Sequence, residues 1–238
     1  MVQLDADKIV NTIKLLKLRI NDRFPNSGLE QVCQQFLDIA RKSKKNAEWI
    51  AKPNLAIRIS SYAAIAIAVI GIIYTISFVD FSIKDNTLVN IMTLLEALIN
   101  DVVLLGAAIF FLVTIELRVK RKRALERLNE LRVIAHVIDM HQLTKDPNVI
   151  GHSNLNTRHS PKRVLTKYEL ERYLDYCSEL MSLISKVAIL YAQSLPDEVI
   201  VHAVNEVEEL TSGLSRKIYQ KLMILDRTNG EGEAHSDS

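Results

Sequence analysis

Residues 55–79 read LAIRISSYAAIAIAVIGIIYTISFV, and residues 88–115 read LVNIMTLLEALINDVVLLGAAIFFLVTI. The first stretch carries no charge from Ile59 to Val79, and its polar members (Ser60, Ser61, Tyr62, Tyr74, Thr75, Ser77) are mild. Arg58 to Asp80 is about 33 Å of helix at ~1.5 Å per residue, which matches a hydrocarbon core of ~30 Å and puts the bounding charges at headgroup depth. The stretch begins too far into the chain for a cleaved leader, and a second apolar run follows at once. A true span is expected.

The second stretch is interrupted by Glu96, Asn100 and Asp101. With Arg118 at one interface, Asp101 lies ~25 Å away along the helix axis, close to the opposite headgroups. The uncharged run Val102–Ile115 is short for a bilayer, so local thinning or snorkelling must cover the mismatch. A water-soluble bundle could also bury such a run; beside so apolar a neighbour, a second span is expected, with spans at about 55–79 and 95–117.

The cations are segregated. Arg41, Lys42, Lys44, Lys45, Lys52 and Arg58 precede the first span, and Arg118, Lys120, Arg121, Lys122, Arg123 and Arg127 follow the second. The connecting residues include Asp80, Lys84 and Asp85. Positive-inside bias therefore predicts both termini in the cytoplasm, the short connection outside, and the cell (inner) membrane as location. The net charge of +2 conceals this arrangement. Arg41, Lys42, Lys44, Lys45, Lys52, Arg118, Lys120, Arg121, Lys122 and Arg123 are candidates for anionic lipid headgroups, at ~1 kcal/mol each near the surface. The same cations could equally serve topology alone.

Outside the spans the pattern is helical. Hydrophobic residues make up 48% of the chain, with 7 Gly and 5 Pro to break it. Ile9, Ile13, Leu16 and Ile20 recur at helical spacing until Phe24-Pro25. Ser27 and Glu30 form a capping box for a helix carrying Leu29, Val32, Phe36, Leu37 and Ala40 to about Ile50. These residues make an N-terminal cytoplasmic unit, 1–53, ahead of a transmembrane hairpin, 54–117. No breaker stands between Leu117 and Asp146, so the second membrane helix should continue through 118–146 with a seam of Leu125, Leu128, Leu131, Ala135 and Ile138. That seam is too short to establish a coiled coil, and must be covered by the N-terminal helices or by a second copy. Residues 147–165 read as a flexible basic loop and 228–238 as a disordered tail. Between them, 166–227 reads as an antiparallel helical hairpin opened by the capping box Thr166–Glu169. The expected fold is an all-α membrane protein: a two-helix transmembrane hairpin with a cytoplasmic helical bundle.

Three constellations could carry chemistry. His136 and Asp139 share a helix face at a usable metal-ligand spacing, with His141, Asp146, His152 and His159 nearby, but no HExxH or fixed Cys/His pattern supports a metal. Glu96, Asn100 and Asp101 would form an acidic ring at the outer mouth of a pore if copies assembled around them; otherwise they form a solvated edge. Tyr168, Tyr173, Tyr176 and Tyr191 with Arg172 and Lys186 could stack nucleobases, but Tyr173 and Tyr191 fall on an apolar stripe. Cys33 and Cys177 lack CxxC spacing and read as small buried apolar residues.

No phosphate-binding loop, nucleophile elbow or kinase set occurs, and no cofactor or catalytic residue is expected. The leading expectation is a non-enzymatic membrane protein that tethers a self-associating or partner-binding cytoplasmic helical domain. Its expected partners are anionic lipid, a further copy of itself and a cytoplasmic protein, with nucleic acid disfavoured. The alternative is an oligomeric ion channel or transport subunit.

Overall fold

The computed structural model describes residues 3–78, 88–147, 158–159 and 165–234, without the side chains of 72, 75–78, 88–91, 93–95, 97–98, 101 and 227–234. Six helices follow in order: α1 (Ala6–Arg23), α2 (Gly28–Ala51), α3 (Leu55–Phe78), α4 (Leu88–Leu143), α5 (Lys167–Ser194) and α6 (Glu198–Ala234). Among the described residues there is no strand. The chain divides into two compact units, Met1–Ala51 with Arg123–Ser238, and Lys52–Lys122.

In the first unit, α1 starts where the Asp5 carboxylate accepts from the backbone N–H groups of Asp7 (2.8 Å) and Lys8 (3.2 Å). It buries Ile9, Ile13, Leu16 and Ile20 as its spacing requires. The turn into α2 places Asn26 at φ 57°, a left-handed conformation that asparagine tolerates better than most residues. Only half of the first expected capping box forms. The Ser27 hydroxyl accepts from Glu30 N–H at 3.2 Å, but Ser27 N–H donates to the Phe24 carbonyl and Glu30 pairs with Lys17 at 3.4 Å. The Thr166–Glu169 box closes in both directions.

The helices α5 and α6 pack along each other, α1 packs on α2, and α5 also lies against α1 and α2. That central position explains a difference from the sequence pattern. The expected stripe (Leu170, Tyr173, Leu174, Cys177, Leu180, Met181, Ile184, Ala188, Tyr191) is buried, and so are Tyr176, Leu183, Val187 and Leu190 on the opposite flank. On α6, Thr211 interrupts the apolar stripe but is buried, because its hydroxyl donates back to the Val207 carbonyl at 3.0 Å.

The seam of α4 follows the expected one at Leu128, Leu131, Ala135 and Ile138 and departs from it at Leu125. Ala124, Leu128, Leu131, Ile134, Ala135 and Ile138 are buried in the same core as α1, α2, α5 and α6, while Leu125 stays 36% exposed. The seam is therefore covered within the chain, and a coiled coil with a second copy is not needed to bury it. At the C-terminal end of α4, the Lys221 ammonium from α6 donates to the carbonyl of Gln142 and to its side-chain oxygen, both at 2.7 Å. A cation thus meets the negative end of the helix dipole, although burial lowers the lysine's pKa. The helix α6 runs to Ala234, past residue 228 where the tail was expected to begin, since each residue added to a formed helix gains one backbone bond. Most of the 147–165 loop and residues 235–238 lie outside the described residues.

Both cysteines are free and buried, and burial pushes each thiol from 9.0 up to about 12. Burial likewise raises Tyr173, and takes Tyr191 up to about 12. A folded-state pKa above the unfolded value contributes stability that is complete below the unfolded pKa and lost as pH rises through the folded one. The helical unit should therefore hold its stability up to ~pH 9 and lose it progressively toward ~pH 12. At neutral pH a thiol reagent should titrate neither cysteine in the native chain and both after unfolding; stoichiometric native labelling would contradict the buried assignment.

The second unit holds the apolar stretches. Two helices are long and apolar enough to cross a membrane, and only 6% of the most apolar window of each is buried inside the protein. Ile59, Ile67, Ile70 and Ile73 on α3, and Val102, Val103, Leu104, Phe110 and Val113 on α4, are all more than half exposed. The helix α4 begins at Leu88, ahead of the expected start of the span near 95, and Glu96 and Asn100 lie inside it.

Candidate functional site

Near the start of α3, Asn54 caps the helix by accepting from Ile57 N–H at 3.3 Å, and its own N–H donates to Glu116 Oε1 at 3.0 Å. Arg58 Nε donates to Glu116 Oε2 at 2.6 Å. Lys120, one turn beyond Glu116 on α4, places its ammonium 2.9 Å from Glu116 Oε1 and donates to the Lys52 carbonyl at 2.8 Å. Glu116 and Lys120 are largely buried, with side chains 13% and 10% exposed. A buried carboxylate of this kind persists because every lone pair that faces the protein has a donor. One acid is held by two cations, leaving a surplus positive charge on the exposed side, where Arg58 is 52% exposed.

A cleft of about 260 Å³ adjoins this cluster, lined by Ile57, Arg58, Ser61, Tyr62, Leu112, Val113 and Glu116. Ser61 is buried because its hydroxyl donates to the Leu112 carbonyl at 3.3 Å. Arg118 lies over the Phe111 ring, 5.4 Å from its centroid. Glu116, the hub of the cluster, was not singled out from the sequence. The available signal was an acid four residues before Lys120 within a run of cations at the edge of an apolar helix.

The expected headgroup cations separate into two groups. Lys42, Lys45, Lys52, Arg118 and Lys122 are exposed. Others are engaged inside the chain: Lys120 with Glu116, Lys44 with Asp7, Arg41 with Asp38, and Arg123 over the Trp49 ring at 4.1 Å. Arg121 is half-buried.

The remaining candidates do not converge. His136 is exposed, while Asp139 accepts a hydrogen bond from the Gln142 amide. No group of three metal-ligating side chains exists among the described residues. His141 is packed against Gly28, where a Cβ would come within 2.5 Å of the ring; the glycine permits that approach. Glu96 and Asn100 are exposed one turn apart on α4, and the side chain of Asp101 lies outside the described residues. Of the tyrosines, Tyr173, Tyr176 and Tyr191 are buried and Tyr168 is exposed. Arg19 and Arg172 approach Tyr176, but each is paired with an acid, Glu179 and Asp175 respectively. Lys186 is bonded to Ser182. The three buried rings serve packing, and Arg19 and Arg172 beside Tyr176 are locally balanced.

In the helical unit, a groove of about 550 Å³ is lined mainly by Phe24, Val137, Met140, Leu165 and Tyr173, with His141 and Lys145 at its polar edge. Phe24 meets Tyr173 edge-on, with ring centroids 5.6 Å apart. Beside it, Val133, Met140 and Leu143 of α4 are 55%, 67% and 63% exposed. No family model, curated protein or solved structure matches the chain.

Proposed function

We propose that the chain is an integral membrane protein whose α3 and α4 form a transmembrane hairpin, with both ends and the helical unit in the cytoplasm, and that this unit is a tethered docking module without enzymatic activity. The observation that carries the membrane reading is the near-complete exposure of two apolar helices. A core helix of a water-soluble protein would be mostly buried, and exposed apolar surface on this scale demands another apolar phase. The pairings Asn54–Glu116 and Ser61–Leu112 support a hairpin, since residue numbers rise along α3 as they fall along α4. The cations at 52–58 and 118–122 support the orientation, through positive-inside bias, and a role for anionic lipid at that rim. Alkaline-washed membranes should retain the chain. Terminal tags should both be cytoplasmic, and a cysteine introduced between 80 and 87 should react with an impermeant reagent from outside. Tags on opposite sides would reject the topology.

The docking role is supported by the groove at Phe24 and Tyr173 and by the exposed face of Val133, Met140 and Leu143, because the other apolar seams are covered within the chain. The proposed occupant is a helical apolar segment from a second copy or a cytoplasmic protein. Met140→Asp with Leu143→Asp should abolish association in detergent-solubilised material, at ~2 kcal/mol or more for the central contacts, without changing helix content. A wild-type chain that is already monomeric, and whose helical unit recovers no partner, would remove the docking role.

Glu96 and Asn100, exposed on one face of α4, keep a second reading in play, an oligomeric cation pathway. Absence of cation flux in proteoliposomes, or flux unchanged by Glu96→Ala with Asp101→Ala, would dismiss it.

A further inference from the structure

We infer that the cleft beside Arg58 seats one phospholipid molecule, with the guanidinium on its phosphodiester and the acyl chains running down the exposed apolar faces of α3 and α4. This rests on the bilayer reading above and adds a defined site to it. Arg58 is aimed rather than loose: its Nε is fixed on Glu116 Oε2, which leaves the two terminal nitrogens with no acceptor among the described residues. Glu116 cannot neutralise it, because the same carboxylate is shared with Lys120 and with Asn54 N–H. The surplus charge therefore calls for an external anion. A guanidinium offers two parallel N–H donors to two oxygens of a phosphate, a geometry that an ammonium lacks.

The walls decide which phosphate. The lining combines polar groups, Arg58, Ser61, Tyr62 and Glu116, with the apolar side chains of Ile57, Leu112 and Val113. Its volume of about 260 Å³ holds a phosphate and a glycerol, not fatty chains. Those chains would lie against neighbouring surface such as Val113, which is 62% exposed. Arg58 stands at the edge of the uncharged stretch, at headgroup depth, and Tyr62 lies one turn deeper, where amphipathic rings favour the interface. Free inorganic phosphate would meet the guanidinium but leave the apolar wall uncovered. A phospholipid satisfies both.

The test uses the full chain, delipidated in mild detergent and titrated with phosphatidylglycerol under native mass spectrometry. One lipid per chain should be retained ahead of any further binding. Arg58→Gln should weaken that first binding by about tenfold or more, the loss expected for a charge-assisted bidentate contact. Arg58→Lys should recover it only in part. Val113→Trp leaves every charge in place but fills the cleft, and should weaken binding comparably, which guards against a folding defect in the Arg58 variants. Lys122→Gln removes an equal charge from the same rim and should change binding by less than about twofold, within ordinary surface effects.

Equal losses in Lys122→Gln and Arg58→Gln would show diffuse attraction and overturn the site, as would displacement of the lipid by millimolar inorganic phosphate. Retention in alkaline-washed membranes, measured in parallel, separates the two levels. A membrane-bound chain that holds no stoichiometric lipid refutes the site alone; a chain found in the aqueous fraction refutes the bilayer reading as well.

Discussion

Arginine at both Ile67 and Ile70 is expected to expel the first apolar helix from the bilayer and shift the chain into the alkaline-soluble fraction. The two positions lie on α3, 71% and 65% exposed. That exposure makes the experiment decisive, because water and lipid predict opposite results. On the surface of a soluble protein, replacing an exposed isoleucine falls within about 0.5 kcal/mol of neutral, and added charge aids solubility. At the centre of a membrane helix, each arginine costs about 2.5–3.5 kcal/mol on insertion scales. Two together cost about 5 kcal/mol or more, roughly a 10⁴-fold shift in partition. The matched control is Leu15→Arg with Leu18→Arg on α1, which are 52% and 48% exposed and belong to the helical unit. That pair should leave membrane retention unchanged. If both pairs behave alike, α3 does not lie in lipid.

Leu180→Asp should unfold the helical unit while the apolar unit still holds the chain in the membrane. Leu180 is fully buried at the middle of α5, the helix that packs against α6, α1 and α2 alike. An unpaired carboxylate there loses its hydration with no partner to replace it, a penalty of several kcal/mol that rivals the ~5–15 kcal/mol holding a domain together. Leu180→Ala, a cavity without charge, should cost about 2–5 kcal/mol and leave a folded but weakened unit. Leu125→Asp is the informative contrast. Its place in the apolar periodicity of α4 suggests a core residue, yet its 36% exposure predicts a change of about 0.5 kcal/mol or less. Far-UV circular dichroism and limited proteolysis would rank the three. A Leu125→Asp as damaging as Leu180→Asp would mean that the α4 seam is set differently.

Much of the fold was legible in the chain because its signals are local. The runs 55–79 and 88–115 needed only counting, and Phe24-Pro25, Pro53 and Leu195-Pro196 punctuate the helices where observed. The box at Thr166 formed in full because both of its partners are three residues apart and have no competitor. The box at Ser27 formed by half because Lys17, on another helix, claims Glu30. Site residues followed the same division. Periodicity marked Tyr173 and Tyr191 as core, but it was silent on Glu116, whose partners Asn54 and Arg58 are 62 and 58 residues away.

Sequence alone determined six helical segments, two of them carrying a long apolar run, since helical periodicity and hydropathy are properties of neighbours along the chain. Tertiary structure decided which flank of each helix is covered. It made α5 a central helix buried on two sides, put Ala124 in place of Leu125 and added Ile134 in the α4 seam, and directed Lys120 inward to Glu116 rather than outward. The physical reason is that burial and charge pairing depend on what lies across a gap, and residues far apart in the chain meet there only once the helices have packed.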